Sequence, residues 1–264
     1  MIAHSVRGSG EPIILIAGTG FSGSTWHPRF VELLAERFAV ITFDHRGTGD
    51  SPGTADSYST RLFASDALAL LASLGHESAH VLGHSMGGRV AQWMALDRPQ
   101  AVRSLILAAS GPGKFRRSQS AVTGIPVKQA LGLIEKGYQR YLDEHIRATF
   151  FTPQRERSPE ADWLIGTHWA NRPSLEEYLK HIAARQGHRT TNLLARIRQP
   201  TLVLVGERDT HAGGTGSHLE QSRYLSTHLP SAQYQELKGA SHGYFWESID
   251  TSANAVLDWM RKGD

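Results

Sequence analysis

Short apolar runs alternate with longer amphipathic stretches along most of this chain, and this alternation constrains its fold more than any other feature. Runs rich in Val, Ile and Leu predict buried strands, whereas the stretches between them have helical periodicity. The predicted strands are 13–17, 39–43, 79–83, 102–108, 201–206 and a weaker one at 233–237, and the predicted helices are 26–37, 60–74, 86–96, 219–229 and 249–261. Such alternation predicts an α/β fold with a mostly parallel central sheet flanked by helices.

The alternation stops after residue 109, where a Gly- and Pro-containing turn begins at Ser110. From there to about residue 198 the sequence is helical in character, with three predicted helices at 127–151, 159–171 and 173–186, two of them opened by proline. Strand alternation resumes at Pro200. We therefore predict one α/β core formed by 1–112 and 191–264, with a helical cap over 113–190 at the carboxyl ends of the strands, where α/β proteins bind ligands.

The composition excludes several classes of protein. The 264 residues include no cysteine, which excludes disulfides, thiolate zinc sites and a cysteine nucleophile. This absence agrees with the reducing cytoplasm, where we expect the protein, because its first residues lack the apolar segment of a signal peptide. A net charge of +3 is too small to indicate a nucleic-acid partner, and no apolar run is long enough to span a membrane.

Positive charge and aromatic residues are concentrated in the predicted cap. Between residues 113 and 190 there are 13 basic and 8 acidic residues. This excess would favour a small-molecule substrate that carries a carboxylate, although solvated helix faces would also account for it. Some of the aromatic residues of the segment are expected to meet the sheet end and exclude water: Phe115, Phe150, Phe151, Trp163 and Trp169.

The residues from Gly83 to Gly88 form a Gly-X-Ser-X-Gly motif between a predicted strand and a predicted helix. In that context the motif indicates a nucleophile elbow, a turn so tight that side chains at Gly83 and Gly87 would collide with backbone. Ser85 would be held in strained geometry with its Oγ presented at the end of the sheet. The Met86 N–H, at the start of the helix, could then stabilise an oxyanion. The alternative is a tight strand-to-helix turn without catalytic function.

A serine hydroxyl becomes nucleophilic only when a base takes its proton, and the base needs a carboxylate to fix its tautomer. His242 lies in a loop of small residues after the last predicted strand, and Asp209 follows the strand 201–206. The chain order Ser, Asp, His fits an elbow of this kind. Glu207 is an alternative acid. A carboxylate directly at the strand end is expected to lie too deep, but the choice of Asp209 rests on a resemblance to a known family. Without a catalytic role, His242 would cap loop backbone and Asp209 would be a surface turn residue.

Other residues that could bind a metal or cofactor are less convincing. His211 and His218 flank a pair of glycines, but without further carboxylates or an i, i+4 histidine pair they are interpreted as polar loop residues. His84 is expected to pack beside the nucleophile. The glycine runs at 18–23 and 213–216 lack the Gly-Lys-Ser/Thr of a phosphate loop. We therefore expect no metal and no cofactor.

These residues resemble the α/β-hydrolase superfamily over essentially the whole chain. The segment from Asp44 to Ser51 is similar to the family's D-x-R-G-x-G-x-S loop, Gly18 to Trp26 takes the place of its oxyanion loop, and Glu247 is expected to begin the last helix. The elbow and oxyanion loop look most similar to those of small capped esterases, enol-lactonases, haloperoxidase-like hydrolases and C–C bond hydrolases. The resemblance implies an α/β-hydrolase fold with the cap inserted after the sixth strand.

The resemblance also implies a second oxyanion donor, which departs from the family pattern at one point. Ala17 and Gly18 stand where the family commonly has His-Gly. Counted back from Trp26, Thr19 matches the position whose backbone N–H makes the donor, and Gly20 is the alternative. Because the donor is a backbone group, the changed side chain need not abolish the oxyanion hole.

The function expected from these residues is hydrolysis of a carboxylic ester or lactone through an acyl-enzyme, with Ser85, His242 and Asp209 as the triad. Three alternatives remain open: cleavage of a C–C bond beside a ketone, acyl transfer to an alcohol or thiol, and ligand binding without catalysis on the same fold. The sequence does not predict the substrate or the oligomeric state.

Overall fold

The computed structural model describes residues 2–115, 126–210, 212–213 and 216–261. The strands of the described chain are β1 His4–Arg7, β2 Glu11–Ile16, β3 Phe38–Phe43, β4 Ala79–His84, β5 Val102–Ala108, β6 Thr201–Gly206, β7 Ala212–Gly213, β8 Gly216–Ser217 and β9 Ala232–Leu237. The centre of the fold is a seven-stranded sheet in the order β1-β3-β2-β4-β5-β6-β9, in which β1 is antiparallel to β3 and the remaining neighbours are parallel. The two-residue strands β7 and β8 pair with each other outside the main sheet.

Helices cover both faces of the sheet. In the described chain they are α1 Pro28–Ala35, α2 Thr60–Ser73, α3 Met86–Asp97, α4 Val127–Lys136, α5 Tyr138–Phe150, α6 Pro159–Ala170, α7 Leu175–Gly187, α8 His218–His228, α9 Tyr244–Glu247 and α10 Ile249–Arg261. Successive residues of β2 point to opposite faces, so Ile13 and Leu15 join a core with α1 and α10, while Ile14 and Ile16 join a core with α2, α3 and α8. No described helix has both the length and the apolar character needed to cross a bilayer.

All six predicted strands are confirmed, and those at Val102–Ala108 and Thr201–Gly206 have the predicted bounds. Sequence analysis missed β1, His4–Arg7, whose four residues are all exposed. An edge strand without a buried face has no apolar alternation to identify it. The result is an α/β-hydrolase fold, as the resemblance implied, although the long insertion follows the fifth strand of this chain and not the sixth.

The insertion between β5 and β6 contains four described helices, α4 to α7, where three were predicted. The predicted helix over 127–151 is divided at Gly137, whose φ of 76° cannot continue a right-handed helix. The helix α7 begins after Ser174, whose side chain accepts the Glu177 N–H, so Pro173 lies just outside the helix. The two ends of the insertion meet where Gly113 and Arg189 form an antiparallel bridge.

Candidate active site

The turn between β4 and α3 has the strained geometry expected of a nucleophile elbow. Ser85 has φ 57° and ψ −115°, outside the regions that residues with a side chain normally adopt. A Cβ at Gly83 would collide with the Gly87 backbone, and one at Gly87 would collide with the Ile16 carbonyl. The turn is held on both sides, because the Ser85 N–H donates to the Ala108 carbonyl (2.8 Å) and Ser110 Oγ donates to the Ser85 carbonyl (2.7 Å).

The elbow places Ser85 at the carboxyl end of the parallel sheet and at the N-terminus of α3. The first amides of a helix have no partner within the helix. The Met86 N–H, next to Ser85, therefore has the orientation that an oxyanion donor would need. The opposite wall is the predicted oxyanion loop. A Cβ at Gly18 would lie only 3.4 Å from Ser85 Cβ, which brings this loop into contact with the serine.

Two buried histidines hold the oxyanion loop. The His45 Nε2–H donates to the Ala17 carbonyl (3.1 Å), and His181, from α7 of the insertion, accepts the Gly20 N–H at its Nδ1 (3.3 Å). The His181 Nε2–H donates in turn to the Arg46 carbonyl (2.9 Å), which fixes its tautomer. Because the Gly20 N–H already has a partner, this arrangement favours Thr19 over Gly20 for the predicted second oxyanion donor.

These buried histidines predict an acid-sensitive fold. Burial lowers the pKa of His45 to about 4 and that of His181 to about 3, and His168, also buried, has a pKa lowered to about 4. In the unfolded chain the same groups have a pKa of about 6.5, so below that pH the unfolded state binds more protons than the folded state. The free energy of unfolding should therefore fall as the pH drops from 6.5 towards 5, measured by denaturant titration.

A pair of variants tests the cause of this pH dependence. The change His181→Gln removes one buried titrating group and should weaken the dependence, whereas His228→Gln, at an exposed position on α8, should leave it as it is in the parent protein. A free energy of unfolding that stays constant or rises between pH 6.5 and 5 would contradict the prediction.

The structure brings two of the predicted triad residues together. Asp209 follows β6, His242 lies between β9 and α9, and the His242 Nδ1–H donates to Asp209 Oδ2 over 2.7 Å. The Asp209 side chain is fully buried. Burial alone would raise its pKa, but the His242 and His218 imidazoles hold the pKa of this carboxyl well below its usual range. Asp209 is therefore ionised and can orient the His242 ring with Nε2 free for a proton.

His84 connects His242 to the turn that carries Ser85. Its ring lies 4.6 Å from that of His242, and its Nε2–H donates to the His242 carbonyl (2.9 Å). Because His84 directly precedes Ser85, this contact places the His242 loop beside the serine. As expected, His84 packs in the core beside the elbow, where burial lowers its pKa well below the usual range.

The predicted alternative acid lies elsewhere. Glu207 is exposed, and its Oε2 accepts the Gly239 N–H at 2.7 Å. The expectation that this carboxylate would lie too deep is wrong, because the Glu207 side chain is exposed to solvent. Glu207 binds the backbone of the turn after β9, and Asp209 contacts His242.

Glu247 also differs from expectation, since it ends α9 and does not begin the last helix. Its carboxylate accepts the Ser241 hydroxyl (2.6 Å) and also hydrogen bonds with Thr152 of the insertion. Ser241 immediately precedes His242. Glu247 therefore ties the loop that carries His242 to the insertion, a role that the sequence did not indicate.

Sequence analysis missed the contribution of His218. Its Nδ1 lies 3.2 Å from Asp209 Oδ1, and its ring stacks on that of His242 with centroids 4.3 Å apart. The signal in the sequence is the capping box of Ser217 and Glu220, which starts α8 and places His218 at its first position. The other histidine considered with it, His211, lies outside the described residues.

A metal ion is the alternative explanation for this group of side chains. One donor atom from each of Asp209, His218 and His242 lies within 4.8 Å of the others. However, each carboxylate oxygen already accepts an imidazole N–H, so hydrogen bonds account for the arrangement. Among the described residues we find no other group of this kind.

Comparisons with known proteins show which family this fold belongs to. A family model for the alpha/beta hydrolase fold matches residues 11–249. The chain is 30% identical over 267 residues to RutD of Serratia proteamaculans, named as a carbamate hydrolase, covering 95% of this chain and 91% of that protein. It is 38% identical over 272 residues to BpoC of Mycobacterium tuberculosis, named as a non-heme bromoperoxidase, covering 98% and 97%. The enol-lactonase of Burkholderia xenovorans superposes with a TM-score of 0.82 at 24% identity, covering 98% and 96%, a likeness of fold.

Proposed function

Because the chain belongs to the α/β-hydrolase family, we propose that it is a serine hydrolase that cleaves a carboxylic ester or lactone through an acyl-enzyme. The observation that carries the proposal is the buried hydrogen bond between Asp209 and His242. The loop that carries His242 also contacts His84, the residue that precedes Ser85. A strained serine at a helix N-terminus beside a buried Asp–His pair is the arrangement that nucleophilic acyl chemistry requires.

In the proposed reaction Ser85 Oγ attacks the substrate carbonyl carbon while His242 Nε2 takes the hydroxyl proton. The N–H groups of Thr19 and Met86 hold the resulting oxyanion, and Asp209 stabilises the imidazolium. The intermediate collapses as the C–O bond to the leaving group breaks, and His242 gives its proton to the departing alcohol. A water molecule, deprotonated by His242, then attacks the acyl-enzyme, and the acid leaves as Ser85 regains its proton.

The segment 113–190 acts in this proposal as a cap over the site. Phe150 lies edge-on to the His242 ring, with centroids 4.9 Å apart, and stacks on Phe21 of the oxyanion loop at 5.2 Å. These apolar rings would exclude water from the imidazole and contact the apolar part of a substrate. The placement of Phe150 agrees with the expectation that aromatic residues of the insertion meet the sheet end.

The test combines turnover with covalent labelling. We expect the protein to release 4-nitrophenol from short acyl esters, and a fluorophosphonate to abolish this activity by adding one phosphonyl group to Ser85, located by tandem mass spectrometry of the tryptic peptide 62–89. A lactone and an aryl carbamate, assayed in parallel, would narrow the substrate class. Added alcohol separates transfer from hydrolysis. Labelling at another serine, or ester hydrolysis that survives full labelling, would contradict the proposal.

A further inference from the structure

Asp209 holds two imidazoles, one on each carboxylate oxygen. Oδ2 accepts from His242 Nδ1 at 2.7 Å, and Oδ1 lies 3.2 Å from His218 Nδ1. The helix that carries His218 is anchored to the same residue, because the Leu219 N–H donates to the Asp209 backbone carbonyl (3.1 Å). The N-terminus of α8 thus lies beside Asp209.

We propose that His218 is a positioning residue of the hydrolase, which fixes the orientation of the Asp209 carboxylate by donating its Nδ1–H to Oδ1 while its ring supports that of His242. This inference rests on the proposed function for its catalytic consequence. The proposal adds a fourth side chain beside the three proposed catalytic residues, because a second imidazole holds the Asp209 carboxylate.

The protonation states of the three groups are consistent with this role. Asp209 is ionised, so it can only accept, and both imidazoles must donate from Nδ1. Burial lowers the pKa of His218, although the Asp209 charge opposes this shift, so His218 is neutral at pH 7 and donates to Asp209 without adding a positive charge. That charge is then available to the imidazolium that forms on His242 during the reaction.

Removal of the His218 donor would leave a buried carboxylate oxygen with one partner fewer. The carboxylate could then rotate about its Cβ–Cγ bond, and His242 would lose both its fixed acceptor and the ring stacked 4.3 Å away. Misorientation of the base slows proton transfer and leaves substrate binding intact. The expected signature is therefore a lower kcat with a nearly unchanged KM.

The experiment compares His218→Phe, which keeps a ring without a donor, with His218→Asn, whose amide N–H stands near the position of Nδ1. A charge-assisted hydrogen bond of this kind should correspond to about a 10- to 100-fold loss of kcat in His218→Phe, with KM within about twofold of the parent value. His218→Asn should keep most of the activity. His228→Phe, at an exposed position of the same helix, is the matched control and should behave as the parent protein.

Equal losses in His218→Phe and His218→Asn, or no loss in His218→Phe, would overturn the inference. If His218→Phe does not fold by circular dichroism, His218→Leu replaces it as the variant without a donor. A readout independent of turnover is the low-field proton resonance of the His242 Nδ1–H, which should move in His218→Phe and remain in His218→Asn. This resonance tests His218 even if the Ser85 assignment fails, so the two failures are distinguishable.

Discussion

Replacing Ser85 with alanine is expected to lower kcat for ester hydrolysis by at least about 10⁴-fold, because the proposed acyl-enzyme can no longer form. The fold should persist. The Ser85 N–H and carbonyl carry the hydrogen bonds that hold the elbow, and both are backbone groups that alanine retains. The measurement is release of 4-nitrophenol by the purified variant, with thermal unfolding followed by circular dichroism to show that the fold is retained.

The matched control for this variant is Ser73→Ala. Ser73 lies on α2 within the same tryptic peptide, and its hydroxyl donates to the Leu70 carbonyl of its own helix. The Ser73→Ala variant should hydrolyse esters and react with the fluorophosphonate as the parent protein does. If Ser85→Ala hydrolysed esters within tenfold of the parent rate, Ser85 would not be the nucleophile and the proposed acyl-enzyme would be ruled out.

The elbow could be predicted from sequence because its signal is local and has a steric cause. Gly83 and Gly87 are required where a Cβ would collide with neighbouring backbone, and the flanking strand and helix have strong apolar patterns. Asp209 and His242 can be chosen as candidate partners of Ser85 for a related reason, since each follows a strand at the carboxyl end of the sheet, where Ser85 also lies. The chain order then restricts which carboxylate and which of many histidines can meet.

The parts that could not be predicted depend on contacts between distant segments. His181 meets Gly20 from 161 residues away, in an insertion whose position over the sheet has no local signal. His218 is nine residues from Asp209, and the capping box of Ser217 and Glu220 marks the start of its helix, but its local sequence resembles a polar loop and does not indicate that the two side chains meet. The exposed strand His4–Arg7 is stabilised by pairing with β3 and not by burial, so its own residues do not reveal it.

The two carboxylates after β6 should differ strongly in their effect on catalysis. Asp209→Asn should lower kcat by about 10⁴-fold, because the asparagine amide can donate to His242 Nδ1 and would place the imidazole proton on Nε2, facing the serine. Glu207→Gln should keep nearly full activity, because that carboxylate is exposed and accepts the Gly239 N–H in the turn after β9, away from His242. Steady-state kinetics of both variants, with thermal unfolding as the check on folding, measures the difference.

This comparison separates orientation from charge, since both substitutions remove one negative charge from the same strand end and leave the side-chain volume almost unchanged. A loss common to both variants would indicate that net charge at the sheet edge, not the tautomer of His242, controls the rate. A greater loss of kcat in Glu207→Gln than in Asp209→Asn would indicate that Glu207, and not Asp209, is the catalytic acid. Neither result is compatible with a carboxylate that acts through a 2.7 Å hydrogen bond to His242 Nδ1, and the proposed mechanism requires that bond.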